Sequence, residues 1–386
     1  MGISYQAILD ANIRITTHLL SNTSLTNTWG NNDNNEWEPI ITALMVEHLL
    51  DCGFSVEDEW LSKDIYCSVK DCIDYLDSNV HSDGSFGADF WDTCRLATII
   101  IEHDLCNYFD YEKIKRYIID YINDGKLTVN NKDMSHATDW SGPGTYAVCA
   151  QYLFNSGEKD LAKKVITEAI DLQHNDGSFT GKKSLTGDNV IHPVWHTAQM
   201  YQTMLKMGVG NNDQLNSIIS WIESVMEADG GYGILPGYSA YYTSYAAMAF
   251  QNSPVRRNYP REKTYQYLLE HELNSEIESD GGSVMALLAF DLFLGKDQIS
   301  TIRERIELDN LKKLRLANNQ LINQVNELKN TIKSLSQTVD SYEKKYKDAD
   351  IILSKRDGFW ISIIITLIGI IFPVIVNLII EFIATV

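Results

Sequence analysis

A chain of 386 residues that is 44% hydrophobic, 10% aromatic and 22% charged has ample material for a core and is too apolar to stay disordered. Its formal net charge of −20 repels nucleic-acid phosphates and anionic head groups, which argues against a DNA- or RNA-binding role. The six cysteines, Cys52, Cys67, Cys72, Cys94, Cys106 and Cys149, form no CxxC pair and read as reduced thiols in a cytosolic setting.

The start, MGISYQAILD, lacks the basic stretch and apolar run of a signal peptide, and Gln6 stands where a myristoylation signal needs Ser or Thr. From there to about Gly295, amphipathic stretches alternate with clusters of glycine, asparagine and aspartate. Aspartate-glycine turns occur at Asp83-Gly84, Asp176-Gly177, Asp229-Gly230 and Asp280-Gly281, spaced by about fifty residues or twice that, the mark of a repeat architecture. Each unit reads as two helices. The first is one-faced, as in YEKIKRYIIDYIND and EKDLAKKVITEAIDLQ; the second, as in PIITALMVEHLL and TCRLATIII, is apolar nearly all round and has to be enclosed. Counting from SYQAILDANIRITTHLL, six pairs fit, giving six inner helices ringed by six outer ones over residues 1–296.

A connecting helix is expected over 297–310, and over 311–356 the apolar residues take a strict three-four spacing. Leu311, Asn318, Val325, Ile332, Val339, Tyr346 and Leu353 fill one seam position, and Leu314, Leu321, Leu328, Leu335, Tyr342 and Ala349 the other. β-Branched residues at the first and leucines at the second predict a parallel two-stranded coiled coil with a second copy, and Asn318 would set its register. In the last segment, 357–386, the run from Phe359 to Ile380 is apolar enough for a transmembrane helix. Lys344, Lys345, Lys347, Lys355 and Arg356 precede it and no Lys or Arg follows, so the expectation is a single-pass cell-membrane protein with its large domain cytoplasmic. Gly369, Pro373, Asn377 and Glu381 share one face of that helix and could pack helices together or line a pore.

The repeats resemble the α/α-toroid superfamily of prenyltransferase β-subunits and squalene- or terpene-cyclase units, over about three quarters of the chain. The fold expected is therefore an all-α α6/α6 toroid followed by the coiled coil and one transmembrane helix. Aligning the inner helices as WEP, WDT, PGT, WHT and YYT gathers Trp37, Glu38, Trp91, Asp92, Trp195, His196, Tyr241 and Tyr242 at the mouth of a central cavity, the candidate ligand-binding residues. The resemblance also implies a zinc site: prenyltransferase β-subunits hold zinc with an Asp-x-Cys pair and a His-Thr, matched here by Asp92, Cys94 and His196. A whole repeat separates them, which sets a core cysteine and a hydrogen-bonded histidine beside the metal reading. The family's Asp-x-Asp-Asp and Asp-Asp-x-x-Asp clusters are absent, which argues against catalysis. His136, Asp139 and Trp140 form a second polar-aromatic group.

Three functions stay open. The first is a toroid that binds a small molecule or protein and relays this through the coil to the membrane helix, the logic of bacterial membrane effectors in defence against phage. The second is a prenyltransferase- or terpene-cyclase-like enzyme acting on an isoprenoid, and the third a membrane-tethered scaffold.

Overall fold

Every residue of the second helix from Pro39 to Leu49 is buried, whereas the fifth helix buries only Ile114 and Ile118. Helices of the first kind have to be walled in and those of the second can do the walling. The computed structural model describes residues 3–24, 26, 28–30, 37–62, 65–127, 142–179, 193–233, 239–254, 258–271, 280–350 and 358–384. The outer helices are α1 (Tyr5–Ser21), α3 (Val69–Ser78), α5 (Tyr111–Asn123), α7 (Lys159–Ile170), α9 (Asn212–Ser224) and α11 (Asn258–His271). The inner ones are α2 (Glu38–Asp51), α4 (Phe90–Glu102), α6 (Pro143–Asn155), α8 (Pro193–Met207), α10 (Ser239–Asn252) and α12 (Asp280–Leu294). Each inner helix touches the next, and α12 returns to α2, so the ring closes as the six pairs imply.

The repeated turn has one construction. Gly84, Gly177 and Gly230 have φ of +97°, +98° and +99°, a left-handed backbone that side chains resist. Each also presses against a backbone carbonyl of the next outer helix, of Lys113, Ser217 and Lys263 respectively, where a Cβ would collide. The preceding aspartates brace the turns: Asp83 and Asp176 each accept from the N–H (3.0 Å) and the hydroxyl (2.7 Å) of Ser85 and Ser178. The aromatic that follows is then pinned by a threonine of the inner helix. Phe86, Phe179 and Tyr232 donate their N–H to Thr93, Thr197 and Thr243 at 2.9, 2.9 and 3.0 Å.

Three departures from the sequence expectation stand out. The segment before α3 is a β-hairpin, β1 (Glu59–Ser62) paired antiparallel with β2 (Ile65–Ser68), so the toroid is not wholly helical. The hairpin is fastened by Trp60, which stacks on Trp29 at 5.9 Å, and by Ser62, which donates to the Thr23 carbonyl at 3.0 Å. Second, the stretch expected as one connecting helix is broken: α13 (Lys296–Ile299) ends before α14 (Ile302–Asp350) begins. Third, no break marks residue 311. The toroid unit runs through Leu308, with Ile302 and Ile306 of α14 buried in it, and a second unit comprises Asp309–Val386.

In the second unit, α14 is continuous, and Leu311, Leu314, Leu328, Leu335, Val339 and Tyr342 of its expected seam are 40–66% exposed. The seam positions Tyr346 and Leu353 lie outside the described side chains. Among the described residues no helix is long and apolar enough to cross a membrane. The side chains described for α15 (Gly358–Ala384) run only from Ile364 to Asn377, so most of the expected 359–380 span's flanks lie outside them.

Gly177→Ala is expected to destabilise the toroid by about 2–4 kcal/mol, from a strained φ and a clash with the Ser217 carbonyl. Equilibrium unfolding in denaturant checks this, with Gly125→Ala as the open-space control that keeps only the strain.

Candidate functional site

The threonine pegs fix which residues are equivalent around the ring. In the first repeat the peg is Thr42, which accepts from the Trp29 N–H at 3.1 Å as Thr93 does from Phe86. The true counterpart of Asp92 is thus Ile41, and Trp37 and Glu38 stand one turn earlier. Trp37 is the residue that caps α2, and Glu38 accepts from the Tyr75 hydroxyl at 3.2 Å. The alignment of Glu38 with Asp92 and His196 is corrected accordingly: Pro39 does open the inner helix α2, but it stands three residues before the peg at Thr42.

The remaining mouth residues do come together. Trp91 lies edge-on to Trp195 with centroids 6.1 Å apart, Trp195 meets Tyr245 at 6.4 Å, Tyr245 meets Tyr241 at 5.3 Å and Tyr241 meets Tyr242 at 5.7 Å. These rings pack against one another, with Tyr245 also lining the cavity further along the inner helices, and Trp91, Trp195, Asp92 and His196 are all buried. Gly144 makes room for them: its N–H donates to Nδ1 of His196 at 3.1 Å, and a Cβ there would lie 2.8 Å from that nitrogen and 3.0 Å from the Trp195 ring.

Two polar atoms in this packing lack hydrogen-bond partners among the described residues, Oδ1 of Asp92 and Nε2 of His196. The other carboxylate oxygen of Asp92 accepts from the Ala88 N–H at 2.8 Å. Burial, then the charge of Asp89, pushes the Asp92 carboxyl well above the usual carboxylate range. Burial also lowers His196 to about 3, so its ring is neutral. The zinc set implied by the resemblance does not assemble. Cys94 is hydrogen-bonded to Cys149 of the neighbouring inner helix, and the one group of three metal-capable donors drawn together among the described residues is His48, Cys52 and Asp291. Asp92, Cys94 and His196 do not fit the ion, because the intervening repeat holds the helices bearing them apart.

The open space lies further along the inner helices. A cavity of about 270 Å³ takes residues from all six of them. Its charged lining is Glu47, Asp51, Arg95, Glu102, Asp291 and Lys296, with Gln151, Gln199, Gln202 and Asn252 between. None of the expected mouth residues belongs to that lining. On each helix the contributors step by three or four, as Glu47 and Asp51 do, or Gln199 and Gln202, so one helical stripe faces inward. Arg95 forms an ion pair with Glu47, and burial still raises the Glu47 carboxyl despite that cation. Burial would likewise raise Glu102, but Lys206, which donates to it at 2.8 Å, together with Arg95 and Asn155, outweighs this and lowers it. Two carboxyls in one cavity are thus pushed in opposite directions. The signal for this site was present as polar residues on otherwise apolar inner helices, Glu47 and Arg95 above all.

No protein-family model and no curated protein matches the chain in sequence. Among solved structures, it is similar to a variant of the type II terpene cyclase MstE from Scytonema in complex with geranylgeranyl dihydroxybenzoate, at a TM-score of 0.53 and 11% identity, covering 76% of this chain and 100% of that one. A second MstE structure, with the product merosterolic acid A, matches at a TM-score of 0.52 and 11% identity over 77% of this chain and all of that one. The shared fold is the α/α toroid. An alpha-1,6-mannanase from Salegentibacter sp. is also similar, at a TM-score of 0.47 and 12% identity over 76% of this chain and 100% of that one.

Two outcomes follow from these electrostatics. Arg95→Ala is expected to cost about 3–5 kcal/mol in unfolding free energy, because it strands Glu47, whereas Glu47→Leu with Arg95→Met together should cost far less. His196 binds its proton more weakly folded, at about 3, than unfolded, at 6.5. Its contribution is complete above pH 6.5 and is lost as the pH falls toward 3, at about 1.4 kcal/mol per pH unit. The stability difference between the natural chain and His196→Gln should therefore shift with that slope between pH 6 and 4, measured by denaturant titration at each pH.

Proposed function

We propose that the toroid is a receptor for a small hydrogen-bonding ligand held in the cavity that its six inner helices enclose. The observation that carries this is the lining: four carboxyls, Glu47, Asp51, Glu102 and Asp291, against two cations, Arg95 and Lys296, with amides between. A surplus of carboxyls repels a diphosphate, and the carboxyls and amides set among Leu44, Val148, Met248, Met285 and Leu288 would lose their hydration without return against an isoprenoid chain. A neutral polyol or an amine-bearing molecule matches its donors and acceptors.

The second unit extends this reading. The exposed apolar seam of α14 is what a second copy would cover in a parallel coiled coil, with Asn318 setting the register. The described part of α15 exposes Ile364, Ile365, Leu367, Ile368, Ile370, Ile371, Phe372, Val374 and Ile375 on all sides. Such a helix suits a bilayer, with Lys355 and Arg356 on the cytoplasmic side. Ligand occupancy would then reach the membrane through paired helices, as in a sensor coupled to an effector.

A second reading is an enzyme of the cyclase kind, and one observation favours it. Asp92 is a buried carboxyl whose neutral form is favoured by burial near Trp91, Trp195 and Tyr241, and a neutral acid beside aromatic faces is what protonation of an alkene requires. The toroid fold shared with MstE suits the same chemistry. Its difficulty is access, since Asp92 is fully buried by its neighbours.

The full chain in detergent separates the two. A thermal-shift panel of polyols, polyamines and geranylgeranyl diphosphate should give stabilisation by a member of the first two classes, lost in Gln199→Leu and Gln202→Leu and kept in Asp92→Asn, with no turnover. Conversion of the isoprenoid that Asp92→Asn abolishes would establish the enzyme instead, and a chain that responds to no member would leave the scaffold.

A further inference from the structure

Three buried donors meet where α1, α2 and α12 adjoin. His48 and Cys52 are one turn apart at the end of α2, and Asp291 faces them from α12; one ligand atom of each lies within 4.8 Å of the others. We propose that His48, Cys52 and Asp291 are a divalent-metal site, suited to zinc, in the wall of the central cavity. This site is separate from the Asp92, Cys94 and His196 set, and it does not depend on what the cavity binds.

The surroundings carry the inference, because the carboxylate and the imidazole are each held by an outer partner. Asn12 donates to Oδ1 of Asp291 at 2.7 Å, leaving Oδ2 to face Nδ1 of His48 at 2.6 Å. On the far side of the ring, Nε2 of His48 lies 2.8 Å from the Thr16 hydroxyl, which sits 2.7 Å from the Asn12 carbonyl. That hydroxyl has one proton. Given to the Asn12 carbonyl, it makes Thr16 the acceptor for an Nε2–H, and a neutral imidazole then turns a bare Nδ1 lone pair toward a carboxylate. A cation in that gap removes the repulsion, and the arrangement becomes that of a metal-bound histidine whose other nitrogen is fixed by an outer partner.

The donor types suit zinc, and the three ligand atoms are close enough for small side-chain movements to bring them onto one ion. Sγ of Cys52 is 3.7 Å from Nδ1 and 3.5 Å from Nε2 of His48. Tetrahedral zinc with ordinary Zn–S and Zn–N bonds separates sulfur from nitrogen by about 3.6 Å and nitrogen from oxygen by about 3.3 Å. The carboxylate has to withdraw by roughly 0.7 Å, and the Cys52 thiol, which lies as close to Nε2 as to Nδ1, has to turn toward the Nδ1 side of the ring. Binding would release the Cys52 thiol proton to solvent, leaving a thiolate, an imidazole and a carboxylate on the ion. Of the three residues, Asp291 lines the cavity, so the fourth position opens there, to water or to an oxygen or nitrogen of a cavity ligand.

The test is Co(II) and Zn(II) titration of the full chain in detergent after treatment with EDTA. Expected are about one Co(II) per chain with a near-ultraviolet thiolate-to-cobalt band, displacement of the cobalt by Zn(II), and a rise in melting temperature with Zn(II). The band should vanish in Cys52→Ser and persist in Cys106→Ser, whose cysteine is exposed. Should Cys52→Ser fail to fold, Asp291→Asn keeps the Asn12 hydrogen bond and is expected to weaken Co(II) binding by about 10-fold or more with an unchanged far-ultraviolet circular dichroism spectrum. Absence of the thiolate band in the natural chain, its survival in Cys52→Ser, or unaltered affinity in Asp291→Asn would each overturn the proposal, leaving a proton between His48 and Asp291.

Discussion

Enclosure of six helices that are apolar on almost every side is the constraint from which the rest of this molecule follows. Such helices gain little until all neighbours are in place, so the ring must close and the chain must return from outer to inner layer in a confined space. The Asp-Gly turn meets that demand three times with the same atoms. A glycine at φ of +97° to +99° lies flush on the next outer helix, an aspartate ties the turn, and a threonine of the inner helix grips the aromatic that follows. The turn therefore couples three consecutive helices, which makes each repeat depend on its successor.

Closure also divides the ring's interior into two environments. Near the start of the inner helices large aromatics meet, and burial among them raises the Asp92 carboxyl and lowers His196, each toward its neutral form. Toward the helix ends, shorter polar side chains leave a cavity in which Glu47 is raised and Glu102 lowered. One fold thus supplies an aromatic cluster and a chamber whose charged and amide side chains stand among apolar ones such as Leu44, Val148 and Met285.

The pairing of helices, the six-fold repeat and the closed double ring were all legible in the sequence, because the contrast between one-faced and all-round apolar segments is large and recurs. Local competition explains what was not legible. Trp60 and Ser62 are claimed by Trp29 and Thr23, and this turns the lead-in to α3 into a hairpin. Trp37-Glu38-Pro39 does start an inner helix, but in this repeat the peg, Thr42, comes three residues after the proline and is announced only by its partner Trp29. His136, Asp139 and Trp140 lie outside the described residues. The cavity was hidden for a different reason: Glu47, Arg95, Gln151 and the Gln199–Gln202 pair are polar positions on four separate helices, and only closure makes them neighbours. The same holds for His48 and Asp291, 243 residues apart in the chain and joined at 2.6 Å.

A density map of the full chain, purified from its own host in lipid nanodiscs, bears most directly on the claim that closure creates a polar ligand chamber. It should show α12 packed against α2, indoles of Trp91 and Trp195 in contact on the axis, and compact density for a small molecule against Arg95, Gln199 and Gln202. An open superhelix with those indoles apart, or a closed ring whose chamber holds an extended apolar chain, would contradict it.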